Sequence, residues 1–244
     1  MEGTIALAQS ISRIPRSDKP LRSTAIKRSG AVDSSLRRVE QRQPQGFVAT
    51  RAKRYDEFLS AANREDDAML FLVEPAVEYK ETFLEGLREF QREGLLLQYD
   101  LPSITRDFES FLRRVRNEKD KTKLRPDAIP ATTYWLIERD EYGQERFVGN
   151  LSLRHELNDF LFRIAGHIGY QIRPSLRSRG YGKRILQLGL QEAKVLGIQR
   201  ALLTCDETNT ASKKVIEFNG GQFENALPVE GSPLKKMRYW IDLS

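Results

Sequence analysis

Arg177-Ser178-Arg179-Gly180-Tyr181-Gly182 is the stretch of this 244-residue chain whose residue types and spacing could do chemistry. Ile168-Gly169-Tyr170-Gln171-Ile172-Arg173 precedes it as an apolar, β-prone run closed by Pro174. After it, Ile185, Leu186, Leu190, Ala193 and Leu196 recur at helical spacing as far as Gly197. A strand, a short basic loop with two glycines and an amphipathic helix form an arrangement suited to holding phosphate. The first N–H groups of the helix have no intrahelical acceptor, and the aligned peptide dipoles favour negative charge there. Gly180 and Gly182 let the main chain approach a ligand where a Cβ would block it. Arg177 and Arg179 add guanidinium charge that matches paired phosphate oxygens.

Three readings of such a loop compete. A P-loop ends in Gly-Lys-Ser/Thr, but Gly182-Lys183 is followed by Arg184. A dinucleotide fingerprint requires a third small residue, and that position is Ile185, although Asp206 stands where a ribose-binding acid could sit. An ordinary strand–turn–helix with glycines for the turn is the plain alternative. About thirty residues further on, Asn209-Thr210-Ala211-Ser212 opens an apolar segment ending in Phe218-Asn219-Gly220-Gly221. The apolar run Ala201–Cys205 lies between the two motifs as an expected buried strand. Arg177-x-x-Gly180-x-Gly182 resembles the Arg/Gln-x-x-Gly-x-Gly/Ala signature of the GNAT superfamily of acyl-CoA N-acyltransferases. The Asn209–Gly220 segment is similar to that family's second cofactor-side element. The resemblance runs from roughly Leu70 to Leu243 and is nearest to the family's uncharacterised predicted acetyltransferases.

That resemblance implies an α/β protein with a mixed α+β sheet that transfers acetyl from acetyl-CoA directly to a primary amine. It implies that the main chain of Arg177, Ser178, Arg179, Gly180, Tyr181, Gly182 and Lys183 binds the cofactor's pyrophosphate. The strand carrying Tyr170, Ile172 and Arg173 would splay from Ala201–Cys205, so that its exposed backbone pairs with the pantetheine arm. Asn209 and Ser212 would meet the same arm, although Asn209 is equally a good helix N-cap. Many relatives carry a Tyr seven residues after the Asn as proton donor; here that residue is Ile216. The remaining base candidates are His155 and His167, the chain's two histidines, and Glu156, with Tyr170 as an alternative donor. No Cys/His cluster has metal-ligand spacing, and Cys205, alone in an apolar strand, is a poor nucleophile. A CoA-binding sensor without catalysis is the rival reading.

Charge divides the chain. Residues 1–54 carry 12 Lys/Arg against 4 Asp/Glu, leaving 28 basic and 30 acidic residues of the chain's 40 and 34. The net charge of +6 therefore belongs to the leading segment. Residues 1–68 read as a basic, largely disordered extension, with a short helix over 55–62, and residues 69–244 as the catalytic domain. The extension could contact nucleic acid or another anionic partner. Strands are expected at Met69–Val73, Thr132–Glu138, Phe147–Leu153, Gly166–Arg173, Ala201–Cys205 and from Met237 onward, with a hairpin turn over Asp140–Gln144. Helices are expected over Val77–Gln91, ended by Gly94, and across Phe108–Val115, capped by Ser103 or Thr105. No apolar run approaches the ~18 residues of a membrane span, and the single Cys suits a reducing, cytoplasmic setting. The acceptor is expected to be a small molecule in preference to a protein, and the oligomeric state is left open.

Overall fold

A computed structural model describes residues 69–244. The basic extension, its expected short helix and the domain boundary ahead of Met69 fall outside the described residues. The elements run β1 (Met69–Val73), α1 (Lys80–Arg92), α2 (Leu101–Arg106), α3 (Phe108–Asn117), β2 (Ala131–Arg139), β3 (Glu145–Arg154) and β4 (Ile168–Ile172). They continue as α4 (Tyr181–Val195), β5 (Arg200–Asp206), α5 (Thr210–Phe218), β6 (Gln222–Pro228) and β7 (Lys235–Asp242).

Two local expectations are corrected. The second helix is two helices, each capped by an aspartate in place of Ser103 or Thr105. Asp100 accepts from the Ser103 N–H at 3.0 Å and Asp107 from the Ser110 N–H at 2.9 Å. Either carboxylate satisfies an orphan donor and also favours the positive end of the helix dipole. The exposed strand β6 was not expected, because its residues alternate weakly and little of it is buried. Other signals hold: Gly94 closes α1 at φ +74°, and Asp140 organises the hairpin by accepting from the Tyr142 and Gln144 N–H groups.

The strands form two antiparallel sheets, β1-β2-β3-β4 and β5-β7-β6. Alternation along β2 and β3 sends side chains to two separate cores. Tyr134, Leu136, Val148, Leu151 and Leu153 join Ile185, Leu186 and Ala193 of α4 on one face. Trp135, Ile137 and Phe147 meet Phe83, Leu87, Phe90 and Phe111 of the α1–α3 layer on the other. Phe83 stacks on Trp135 at 4.4 Å, with Phe147 edge-on to both. A register shift between Leu136 and Ile137 leaves Val148 as the extra residue of β3, so that Val148 stays with Leu151 and Leu153 in the α4-side core while Phe147 turns to the other.

Candidate active site

β4 and β5 form no ladder with each other, and their separation is the main feature of the site. They touch at one end, where the His167 N–H donates to Leu202 O at 2.7 Å and the Leu202 N–H donates to His167 Nδ1 at 2.9 Å. Gly166 makes that closure possible at φ +66°; a Cβ there would fall 2.3 Å from Leu202 O. Beyond this pin the strands diverge around a narrow cleft lined by Ile168, Gly169, Tyr170, Leu203, Thr204, Ser212 and Ile216. On its other side β4 is bound to β3, with the Arg173 N–H donating to Val148 O at 2.8 Å. Strand alternation then turns the N–H and C=O of Ile168 and Tyr170 into the cleft.

The loop after β4 supplies donors. Among the described residues no group accepts from the main-chain N–H groups of Ser178 through Gly182, whereas those of Lys183 and Arg184 both donate to Gly180 O. Ser178 and Gly180 adopt left-handed conformations at φ +63° and +87°, which turn successive N–H groups toward one concavity. A Cβ at Gly180 would meet nothing within 4 Å, so its demand for glycine is conformational. Gly182 is different. A Cβ there would lie 3.2 Å from Val215 Cγ2, so its bareness also lets α4 pack on α5.

The loop's cations divide. Arg173 is bound to Glu89 at 2.7 Å and Glu85 at 3.2 Å, and Glu89 also accepts from the Ser175 N–H. Arg177 donates to Ile172 O at 3.2 Å and pairs with Glu93 at 2.7 Å. Both therefore tie the loop to α1. Arg179 is exposed and Lys183 lies 4.0 Å above the Phe218 ring, neither making an ion pair among the described residues. Tyr181, expected to contribute main chain, also anchors the helix through its side chain. Its buried hydroxyl donates to Glu138, which Arg146 holds from the other side at 2.5 Å. Sequence reading missed this tether because its members are 43 residues apart.

The acid–base candidates occupy three different environments. His167 is buried, and burial followed by the Arg154 charge depresses its pKa to about 4. With Nδ1 accepting from Leu202, the neutral ring carries its proton on Nε2 and has no lone pair left to act as a base. His155 Nε2 lies 2.8 Å from Thr132 Oγ1, on the α4 side of the sheet and at the far end of β3. Burial, aided by Lys119 and opposed by Glu156, holds it below the ordinary imidazole value. Tyr170 lines the cleft itself. Its buried Oη has no hydrogen-bond partner among the described residues, and burial raises its pKa while the neighbouring Ser212 hydroxyl pulls the other way. Asn209 caps α5 by accepting from the Ser212 N–H at 3.0 Å, which places Ser212 at the cleft wall. Cys205 is buried, and burial and Asp206 push its thiol to about 11. Among the described residues no three His, Cys, Asp or Glu side chains group as metal ligands, and no helix is long and apolar enough to cross a membrane.

A profile of the acetyltransferase (GNAT) domain matches residues 59–222, two thirds of the chain. The chain belongs to the GNAT acetyltransferases. Solved structures share the fold. A GNAT-family acetyltransferase from Bacillus anthracis is 17% identical with a TM-score of 0.51, the match covering 73% of this chain and 98% of that one. The microcin C7 self-immunity acetyltransferase MccE, solved with acetyl-CoA and AMP, is 16% identical with a TM-score of 0.50, covering 71% and 92%. No curated protein matches the sequence. The GNAT fold accounts for the two-sheet arrangement, with the cleft between β4 and β5 and the donor loop at its open end.

Proposed function

We propose that this GNAT domain transfers the acetyl group of acetyl-CoA directly to a primary amine. The observation that carries the reading is the open β4–β5 cleft walled by α5, on which the start of α4 packs through Gly182, together with the five N–H groups of Ser178–Gly182 that have no acceptor among the described residues. Acetyl-CoA supplies a thioester whose carbonyl carbon is open to attack by the amine. The chain's own residues fit such a ligand. The Ser178–Gly182 N–H groups and the start of α4 take the pyrophosphate, with Arg179 and Lys183, neither in an ion pair among the described residues, beside it. Ile168 and Tyr170 offer strand-edge N–H and C=O groups to the amides of the pantetheine arm. Ile172 and Arg173 act one step back: their carbonyl and guanidinium fix Arg177 and α1, and so hold the loop in place.

Tyr170 is the proton donor in this reading. A phenol raised by burial stays protonated at neutral pH, and Ser212 lies beside it at the α5 wall. Donation to the departing thiolate needs such a group within reach, and Ile216 offers none. Cys205 remains a protonated thiol, which suits direct transfer without an acyl-enzyme. The amine is taken as the free base from solution, since His167 has no available lone pair and His155 is held to Thr132 beyond the end of β3 and does not line the cleft.

Calorimetry with acetyl-CoA and with NAD, followed by thiol release across a panel of amines, tests the proposal. Micromolar acetyl-CoA binding and amine-dependent thiol release are expected. Binding of NAD alone would sink it, and CoA binding without release on any amine would favour the sensor reading.

A further inference from the structure

The sheet face opposite α4 carries a row of polar side chains that the donor chemistry does not use. The register places Thr133, Ser152 and Gly169 in one rung and Trp135, Asn150 and Gln171 in the next. All but the buried Trp135 are half-buried. Thr133, Ser152, Asn150 and Gln171 make no side-chain hydrogen bond among the described residues, and Asn150 Oδ1 and Gln171 Oε1 are buried without a partner. Two shielded amide oxygens side by side represent a desolvation penalty that a ligand's N–H groups would remove. Gly169 belongs to both this row and the cleft lining, so the row leads to the cleft from the face not occupied by α4.

Charge narrows what could lie there. Neither rung contains a carboxylate. Those flanking the row on α1 and β5 are engaged: Glu85 and Glu89 with Arg173, and Asp206 with Lys236 at 2.6 Å. The next rung holds the buried cation Arg154, whose guanidinium donates, among the described residues, to the carbonyls of Ala165 and Gly166 alone. A polycation would meet no free counter-charge on this row and one uncompensated positive group. Gly169 and Gln171 are two residues apart on β4, about 7 Å, which is the two-residue repeat of an extended peptide.

Resting on the proposed acetyl transfer, we infer that the acceptor is the N-terminal α-amino group of a peptide. It lies along this row with its amine over Gly169 and its first main-chain amides on Asn150 and Gln171. This departs from the small free amine expected of the sequence. Asn150 and Gln171 are specificity residues and take no part in the chemical step.

The test measures thiol release at saturating acetyl-CoA with an unblocked hexapeptide and with spermidine, using the full chain. The unmodified protein is expected to show the lower KM for the peptide. Asn150→Ala and Gln171→Ala should each raise peptide KM about tenfold, the loss of roughly one hydrogen bond, with kcat within about threefold. The shape-preserving Asn150→Asp and Gln171→Glu should lower the KM for spermidine instead. A preference for spermidine in the unmodified protein, or unchanged peptide KM in both alanine variants, overturns the inference. Calorimetry on the same samples separates the two levels. Retained acetyl-CoA binding with either adverse result rejects the peptide acceptor alone, whereas no acetyl-CoA binding rejects the acetyl-transfer reading and this inference with it.

Discussion

Tyr170 and His167 sit three residues apart and serve different ends, because one faces a cleft and the other closes it. Tyr170 Oη is buried, unpartnered among the described residues and held protonated. Tyr170→Phe is therefore expected to lower kcat on the order of 10²-fold, the scale of one lost general acid, while acetyl-CoA affinity stays within error by calorimetry. An unchanged kcat would move the proton donor to Ser212. His167 makes its contribution as the neutral ring. Its imidazole titrates near 4 in the folded chain, against about 6.5 when unfolded. Between those values the unfolded chain binds the extra proton, so stability is complete above about pH 6.5 and falls as pH drops toward 4. Urea melts should show a loss of about 2 kcal/mol between pH 7 and pH 5 from this group. His167→Asn keeps an acceptor for the Leu202 N–H and should flatten that slope; an unaltered slope would place the titration elsewhere.

At the scale of elements, the start of α4 is prepared before any ligand arrives. Tyr181, Glu138 and Arg146 hold its first turn to β2 and β3, and Arg173 and Arg177 hold the loop to α1. The loop can then keep Ser178 and Gly180 left-handed, a conformation that costs most side chains about 1 kcal/mol or more. Gly180→Glu puts bulk and negative charge where the pyrophosphate is proposed to lie. It is expected to abolish acetyl-CoA binding in calorimetry while the melting temperature falls only by a few degrees. Undiminished affinity would remove the loop from the site. Gly166→Ala is the contrasting change, since its Cβ collides with Leu202 backbone, and it should destabilise the fold itself.

Across the whole molecule, two cores share one sheet, and their side chains lie between Leu72 and Ile241. Residues 69–244 alone are therefore expected to melt cooperatively and bind acetyl-CoA like the full chain; a broad transition or lost binding would assign residues 1–68 a part in folding or in the site. Periodicity alone was sufficient for β2, β3, α1 and α4, because apolar spacing reports which face an element buries. The loop motif with Asn209 and Gly220 was sufficient for the family, since a helix start with glycines is a local property of adjacent residues. Local sequence could not show that Arg173 and Arg177 would be spent on Glu89 of α1 and on Glu93 at its C-terminal cap, each 84 residues away. Nor could it show that His167 would become a pin, because its partner Leu202 is brought in by sheet assembly. Motif and patterning thus determined the fold class and the donor loop. The cleft, the tautomer of His167 and the polar row at Asn150 and Gln171 were decided only by the register between distant strands, which no contiguous stretch of residues encodes.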